Sequence, residues 1–354
     1  MITEKKLPIG VSDFRTIMTA GGYYVDKTLL IADWLQTFSG NATLITRPRR
    51  FGKTLNMTML REFFDITKDS STLFEGLAIS ETPYITEMNQ HPVIYLSFKD
   101  CTGSKQSNFD CLFDILLQAT MDLPKDMTLE EDDAILLKKM KTIMLEADTE
   151  KHTRLGRLIY FLGKLLYDYY GKKVIILIDE YDTPMISAYE GKYYDEVRSF
   201  FRSLYGSALK DNPYLERAML TGIHHIAKEN IFSGLNNLEV CTVNHKDYRQ
   251  YFGLTPEETE TLLKYYSLTL DESVKAMYDG YRFGGQEIYN PWSILNYADK
   301  KKLAPYWVNT ASDDMLAQII VSVDKQTQSN FEQLLSIGQI TVSVDLQTSF
   351  FELD

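Results

Sequence analysis

Apolar positions along this chain alternate between two spacings, and the alternation predicts a series of strands and helices. Leu30, Ile31, Trp34, Leu35 and Phe38 recur three and four residues apart, which predicts an amphipathic helix over 27–38. The turn cluster Ser39-Gly40-Asn41 closes it, and the β-branched run Ala42 to Thr46 predicts a buried strand. Helical spacing resumes at Lys53, with Leu55, Met59, Leu60, Phe63 and Phe64 on one face. A second strand over Pro92 to Phe98 precedes a long charged helical tract, about 108–170, with breaks near Pro124 and Asp148. Val174 to Ile178 is an unbroken aliphatic run of the kind buried on both faces of a parallel sheet. A helix over Tyr193 to Leu209 and a strand over Glu216 to Leu220 follow. Strands that alternate with helices in this way require right-handed crossovers, so the pattern predicts a three-layer α/β domain with a mainly parallel sheet.

The texture changes near residue 245. Thr255-Pro256-Glu257-Glu258 supplies a capping residue, a proline at the first helical position and acids in the first turn, which marks a helix start. Further helical patterns and a turn-rich stretch, Tyr281 to Pro291 with Gly284-Gly285, predict a mostly helical region with a small hairpin, for which a winged-helix-like arrangement is one option. The expected division is therefore 1–245, with a helical insertion at about 105–170, and 246–354. A length of 354 residues suits two such units.

Composition changes the picture only by exclusion. With 44% apolar and 24% charged residues the chain is an ordinary globular sequence. A net charge of −12 does not describe a surface that coats nucleic acid or an anionic membrane, so any nucleic-acid site must be local. The longest aliphatic run, Val174 to Ile178, is far too short to span a bilayer, and Met1 to Gly10 lacks an apolar core, so a cytoplasmic protein is expected. Three cysteines, Cys101, Cys111 and Cys241, without a CxxC pair are expected to be free buried thiols in a reducing compartment.

The sharpest chemical signal is Arg47-Pro48-Arg49-Arg50-Phe51-Gly52-Lys53-Thr54, between the predicted strand at 42–46 and the helix from Lys53. It has the ending of the phosphate-loop pattern GxxxxGK[ST], in which backbone N–H groups and a helix N-terminus cradle phosphate oxygens. In that arrangement Lys53 reaches the outer phosphates, Thr54 ligates Mg²⁺ and Leu55, next in the helix, is counted with the nucleotide-binding residues. Arg47 stands where the pattern asks for its first glycine, and Pro48 removes one amide donor, so the loop is a variant. Arg49 and Arg50 either clamp phosphates or are solvated loop arginines.

The aliphatic strand Val174 to Ile178 delivers Asp179 and Glu180 at its carboxyl end, where open α/β sheets bind ligands. Asp179 is placed to hold Mg²⁺ and Glu180 to orient or deprotonate an attacking water. Thr221, at the end of the next strand, is either a sensor of the water or γ-phosphate or a satisfied strand-end threonine. The five histidines include no HExxH and no pair at metal-ligand spacing, so no metal other than Mg²⁺ is expected.

Together these residues resemble the bacterial AAA-ATPase-like proteins, phosphate-loop ATPases of the wider AAA/STAND type. The resemblance runs in order through Leu7-Pro8-Ile9-Gly10, Tyr24 to Thr28, Arg47 to Thr54, Leu73 to Leu77, Ile178 to Pro184, Leu220-Thr221-Gly222 and Ile231 to Asn237, and extends through Tyr278 to Gly284 and Tyr289 to Ser293. The Arg-Pro-Arg-Arg-Phe-Gly-Lys-Thr loop is that family's form of the motif. The resemblance implies ATP bound by Lys53 and Thr54, with Mg²⁺ and catalysis at Asp179 and Glu180. It also implies a nucleic-acid or protein partner that no residue identifies, and oligomerisation is open because an arginine finger can come from a neighbour. Family members commonly continue into a PD-(D/E)XK nuclease-like domain; Asp354 falls where one would start, and no Asp…Glu-x-Lys core precedes it. His224-His225 stands where an apolar and then a basic residue are expected, which departs from the family's γ-phosphate-sensing pattern. The expected function is an ATPase coupling Mg-ATP turnover to a conformational change, with a nucleotide-dependent switch of negligible turnover as the alternative.

Overall fold

The computed structural model describes residues 4–37, 41–146, 153–224, 231–232 and 234–306. His225 and the segment 307–354 lie outside them. Five strands, β1 (Ala42–Thr46), β2 (Val93–Ser97), β3 (Val174–Asp179), β4 (Leu215–Gly222) and β5 (Leu238–Cys241), form one parallel sheet in the order β2-β3-β4-β1-β5. The α-helices are α1 (Phe14–Thr19), α2 (Leu29–Gln36), α3 (Lys53–Phe64), α4 (Ser71–Phe74), α5 (Lys105–Met121), α6 (Glu131–Leu145), α7 (Leu158–Tyr170), α8 (Thr183–Glu190) and α9 (Tyr194–Leu209). After them come α10 (Pro256–Tyr265), α11 (Glu272–Tyr278), the hairpin β6 (Arg282–Phe283) and β7 (Gln286–Glu287), and α12 (Pro291–Lys300).

The period-2 alternation of each strand sorts its side chains between two helical layers. Val174, Ile176 and Ile178 of β3 join a core built with α5, α7 and α9, whereas Ile175 and Leu177 join one built with α2 and α3. All six residues of β3 are buried, which explains why this strand reads as one aliphatic block. The three-layer α/β arrangement expected from the pattern is the one observed. The predicted helix over Tyr193 to Leu209 is preceded by a separate one, α8, and β5 was not legible because its four residues carry no run of apolar positions.

A third apolar cluster joins α10, α11 and α12 through Leu262, Leu263, Val274, Tyr278 and Ile294. Thr255 and Glu258 form the expected capping box, with Pro256 in the first turn of α10. Leu7, Tyr23 and Val25 of the N-terminal segment pack against this cluster. The same segment is fastened by Lys27, whose buried ammonium donates to Glu258 Oε1 at 2.6 Å and to the Gln250 carbonyl.

The expectation of three free thiols is corrected. Cys101, just past β2, and Cys111, in α5, are joined as a disulfide with their Cα atoms 5.3 Å apart, and Cys241 is free and buried. Spacing concealed the pair, because the return of the chain from the strand end into α5 brings the two residues together without a CxxC motif. No helix among the described residues is long and apolar enough to cross a membrane. The denatured, unreduced chain is expected to titrate one thiol and the reduced chain three; three before reduction would remove the pairing.

Candidate functional site

β4 lies between β1 and β3, so the carboxyl ends of these three strands converge. At the end of β1 the chain turns through Arg47 to Gly52 and enters α3. Gly52 is the N-cap at φ 79°, a left-handed conformation that costs glycine little, and it has no side chain with which to satisfy the first amides of α3. Those amides and the positive end of the helix are left for an anion. Lys53 is buried, and its ammonium donates to the carbonyls of Arg47 and Pro48 at 2.9 Å each, lying across the loop it would serve. Burial pushes the Lys53 ammonium down, against the opposing charges of Asp182, Glu180 and Asp179.

β3 brings Asp179 to the first turn of α3. The Thr54 hydroxyl donates to Asp179 Oδ2 at 2.6 Å, and Thr221 donates to Oδ1 of the same carboxylate. One acid therefore joins β3, α3 and β4. Glu180 follows at φ 52°, a strained left-handed conformation for a residue with a Cβ, and accepts from the Thr183 hydroxyl at 3.2 Å. Burial raises the Glu180 carboxyl above its ordinary range, Asp179 adds to the rise, and Lys53 opposes it. Among the described residues no group of three His, Cys, Asp or Glu side chains could hold a metal. The adjacent Thr54 hydroxyl and Asp179 carboxylate instead make a hard oxygen pair of the kind Mg²⁺ takes when phosphates and water complete its shell.

Arg47, Phe51 and Arg50 face elsewhere. Arg47 is fully buried, donates to the carbonyls of Thr46 and Cys241 at 2.8 and 2.9 Å, and lies over the rings of Phe252 and Phe283. Burial pushes its guanidinium down to about 10. Phe51 is also fully buried and packs with Phe283 and Ile288, its ring 4.8 Å from that of Tyr281. Arg50, at φ 72°, sets its guanidinium 4.1 Å above the ring of Trp292 at the start of α12. Arg49 is exposed. Of the two arginines expected either to clamp phosphates or to be solvated, Arg50 is turned to the region after residue 245, as is Arg47.

Beside Gly52 and Leu55 an apolar cavity opens between the N-terminal segment and α12, walled by Pro8, Tyr24, Val25, Leu254, Pro291 and Leu295.

A family model described as predicted AAA-ATPase matches residues 8–232. The chain belongs to that family. It is also similar to a protein of Azotobacter chroococcum mcd 1 named "Uncharacterized protein in vnfD 5'region", with 28% identity over 322 residues. That match covers 90% of this chain and 57% of the relative, so the chain spans little more than half of the relative's length. The family match supports the ATPase resemblance at a coarse level and leaves substrate and partner unassigned.

Sequence reasoning found Lys53, Thr54, Asp179, Glu180 and Thr221, and these five converge. It did not find the cavity or the aromatic seats of Arg47 and Arg50, because each depends on residues far apart in the chain. Arg50→Ala is expected to lower stability by about 1 kcal/mol through loss of the cation–π contact while ATP affinity changes less than about threefold; an arginine bonded to phosphate would cost about tenfold or more. Denaturant unfolding and calorimetric titration of the same variant separate the two roles.

Proposed function

We propose that the chain binds Mg-ATP at the loop 47–54 and hydrolyses it, and that the region 246–306 responds to the bound nucleotide. The observation that carries the reading is the Asp179 carboxylate hydrogen-bonded at once to Thr54 and Thr221, with Glu180 and Lys53 beside it. The amides of the loop and of the first turn of α3 take the phosphate oxygens, and Lys53 leaves the loop carbonyls to pair with the outer phosphates. Mg²⁺, held by Thr54 and by Asp179, would neutralise charge on the phosphates during transfer. Glu180 is the base: its carboxylate orients a water in line with the γ-phosphate and accepts its proton. Thr221 holds Asp179 in place. The apolar cavity beside Leu55 takes the base of the nucleotide, with Tyr24 and Leu295 available to cover its faces.

A second reading has a specific observation in its favour. Three of the eight loop side chains, Arg47, Arg50 and Phe51, are seated on the region after residue 245. A loop braced in this way transmits occupancy whether or not hydrolysis is fast, which is what a nucleotide-dependent switch requires.

Lys53→Ala is expected to abolish measurable Mg-ATP binding. Glu180→Gln is expected to keep affinity and to lower phosphate release about a hundredfold or more. Chelation of Mg²⁺ is expected to stop release in the unaltered protein. Turnover that survives both substitutions would refute the hydrolase, and tight binding with no release in the unaltered protein would leave the switch.

A further inference from the structure

Asp182 stands at the N-cap of α8, where an aspartate ordinarily accepts from an amide in the first turn. Here its side chain makes no capping bond. It reaches across to the tip of β4, where Oδ2 accepts from the backbone N–H groups of Ile223 at 2.9 Å and His224 at 2.8 Å. The His224 ring places Nδ1 3.4 Å from the same oxygen. The carboxylate is 1% exposed, and Oδ1 has no hydrogen-bond partner among the described residues. The acid thus forgoes its helix cap for the turn after β4 and leaves one oxygen without a partner, an arrangement that calls for an explanation.

The same turn is tied to the β3 end at two more points. The Tyr181 amide donates to the Thr221 carbonyl at 3.0 Å, and the Tyr181 hydroxyl donates to the His224 carbonyl at 2.7 Å. Gly222 admits this approach: a Cβ there would lie 2.5 Å from Asp182 Oδ1 and 2.6 Å from the Tyr181 ring. Asp182 is also the acid whose charge acts most strongly on Lys53.

We infer that Asp182 is a positioning residue of the nucleotide site, a latch that holds the Thr221–His224 turn against the β3 end so that Thr221 and Asp179 keep their places around the terminal phosphate. This rests on the reading of the site as one for a nucleoside triphosphate. The latch acts on what surrounds the γ-phosphate and not on the α- and β-phosphates, which the loop amides hold. It therefore predicts discrimination of ATP from ADP.

The test uses Asp182→Asn, which keeps the shape and removes the charge, and Asp182→Ser, which restores an ordinary helix cap and cannot reach the turn. Mg-ATP and Mg-ADP binding by calorimetry, phosphate release, and hydrogen exchange at the 221–224 amides are measured on the full chain. Both variants are expected to bind ADP within about threefold of the unaltered protein and to lose about tenfold or more in phosphate release, the scale of a misplaced group. In Asp182→Ser the amides of Ile223 and His224 are expected to exchange faster while those of β3 stay protected. Unchanged release with unchanged ATP-to-ADP preference in both folded variants would overturn the latch. If the unaltered protein releases no phosphate, the hydrolase reading falls by itself, and the latch is decided by binding: a lost preference for ATP over ADP supports it and a retained preference refutes it.

Discussion

The Asp179 carboxylate is the constraint on which the rest of this site depends. It is buried at the end of a strand with no exposed face, so its charge must be satisfied by protein donors. Thr54 from α3, Thr221 from β4 and the amide of Glu180 supply them. The Glu180 amide is its chain neighbour, whereas Thr54 and Thr221 arrive from distant parts of the chain, brought there by a parallel sheet with β4 between β1 and β3. The topology and the chemistry are thus joined at one side chain: a shift of β4 by one residue would turn Thr221 to the opposite face and leave Oδ1 of Asp179 with the Glu180 amide alone.

A second dependence runs through the phosphate loop. A glycine-rich loop of the usual kind holds its shape by backbone bonds alone, whereas this one is braced by its side chains. Arg47 is a buried cation without a carboxylate beside it, held by two carbonyls and two aromatic faces, and its Nε and Nη2 have no hydrogen-bond partner among the described residues. Phe51 fills the gap next to it, where Gly253 comes so close that a Cβ would lie 2.9 Å from the Phe51 ring. The loop 47–54 and the region after residue 245 therefore share one packed interface. That interface gives the variant motif a physical reason: arginine replaces the first glycine because its side chain is used on the side away from the phosphate.

Much of this was legible beforehand. The aliphatic block of β3, the strand-loop-helix around Lys53 and the capping box at Thr255 each follow from local spacing and were found where expected. What escaped was of two kinds. β5 is short and partly polar, so periodicity has nothing to register. The Cys101–Cys111 pair, the Lys27–Glu258 tie and the Asp182 contact with Ile223 and His224 join residues separated by 10, 231 and about 41 positions, and no local pattern encodes such a meeting.

The sequence by itself determined the class of fold and the chemical kinds at the site: a lysine and a threonine at a helix start, and two carboxylates at a strand end. These depend on hydrophobic period and on motif, which are local properties of the chain. Only the tertiary structure decided where Arg47 and Arg50 lie and which acid meets the turn after β4. An arginine's role depends on whether phosphate, water or an aromatic ring lies within reach of its guanidinium, and Asp182 departs from its helix cap only because β4 ends beside it. Both are matters of proximity in space, which a linear pattern leaves open.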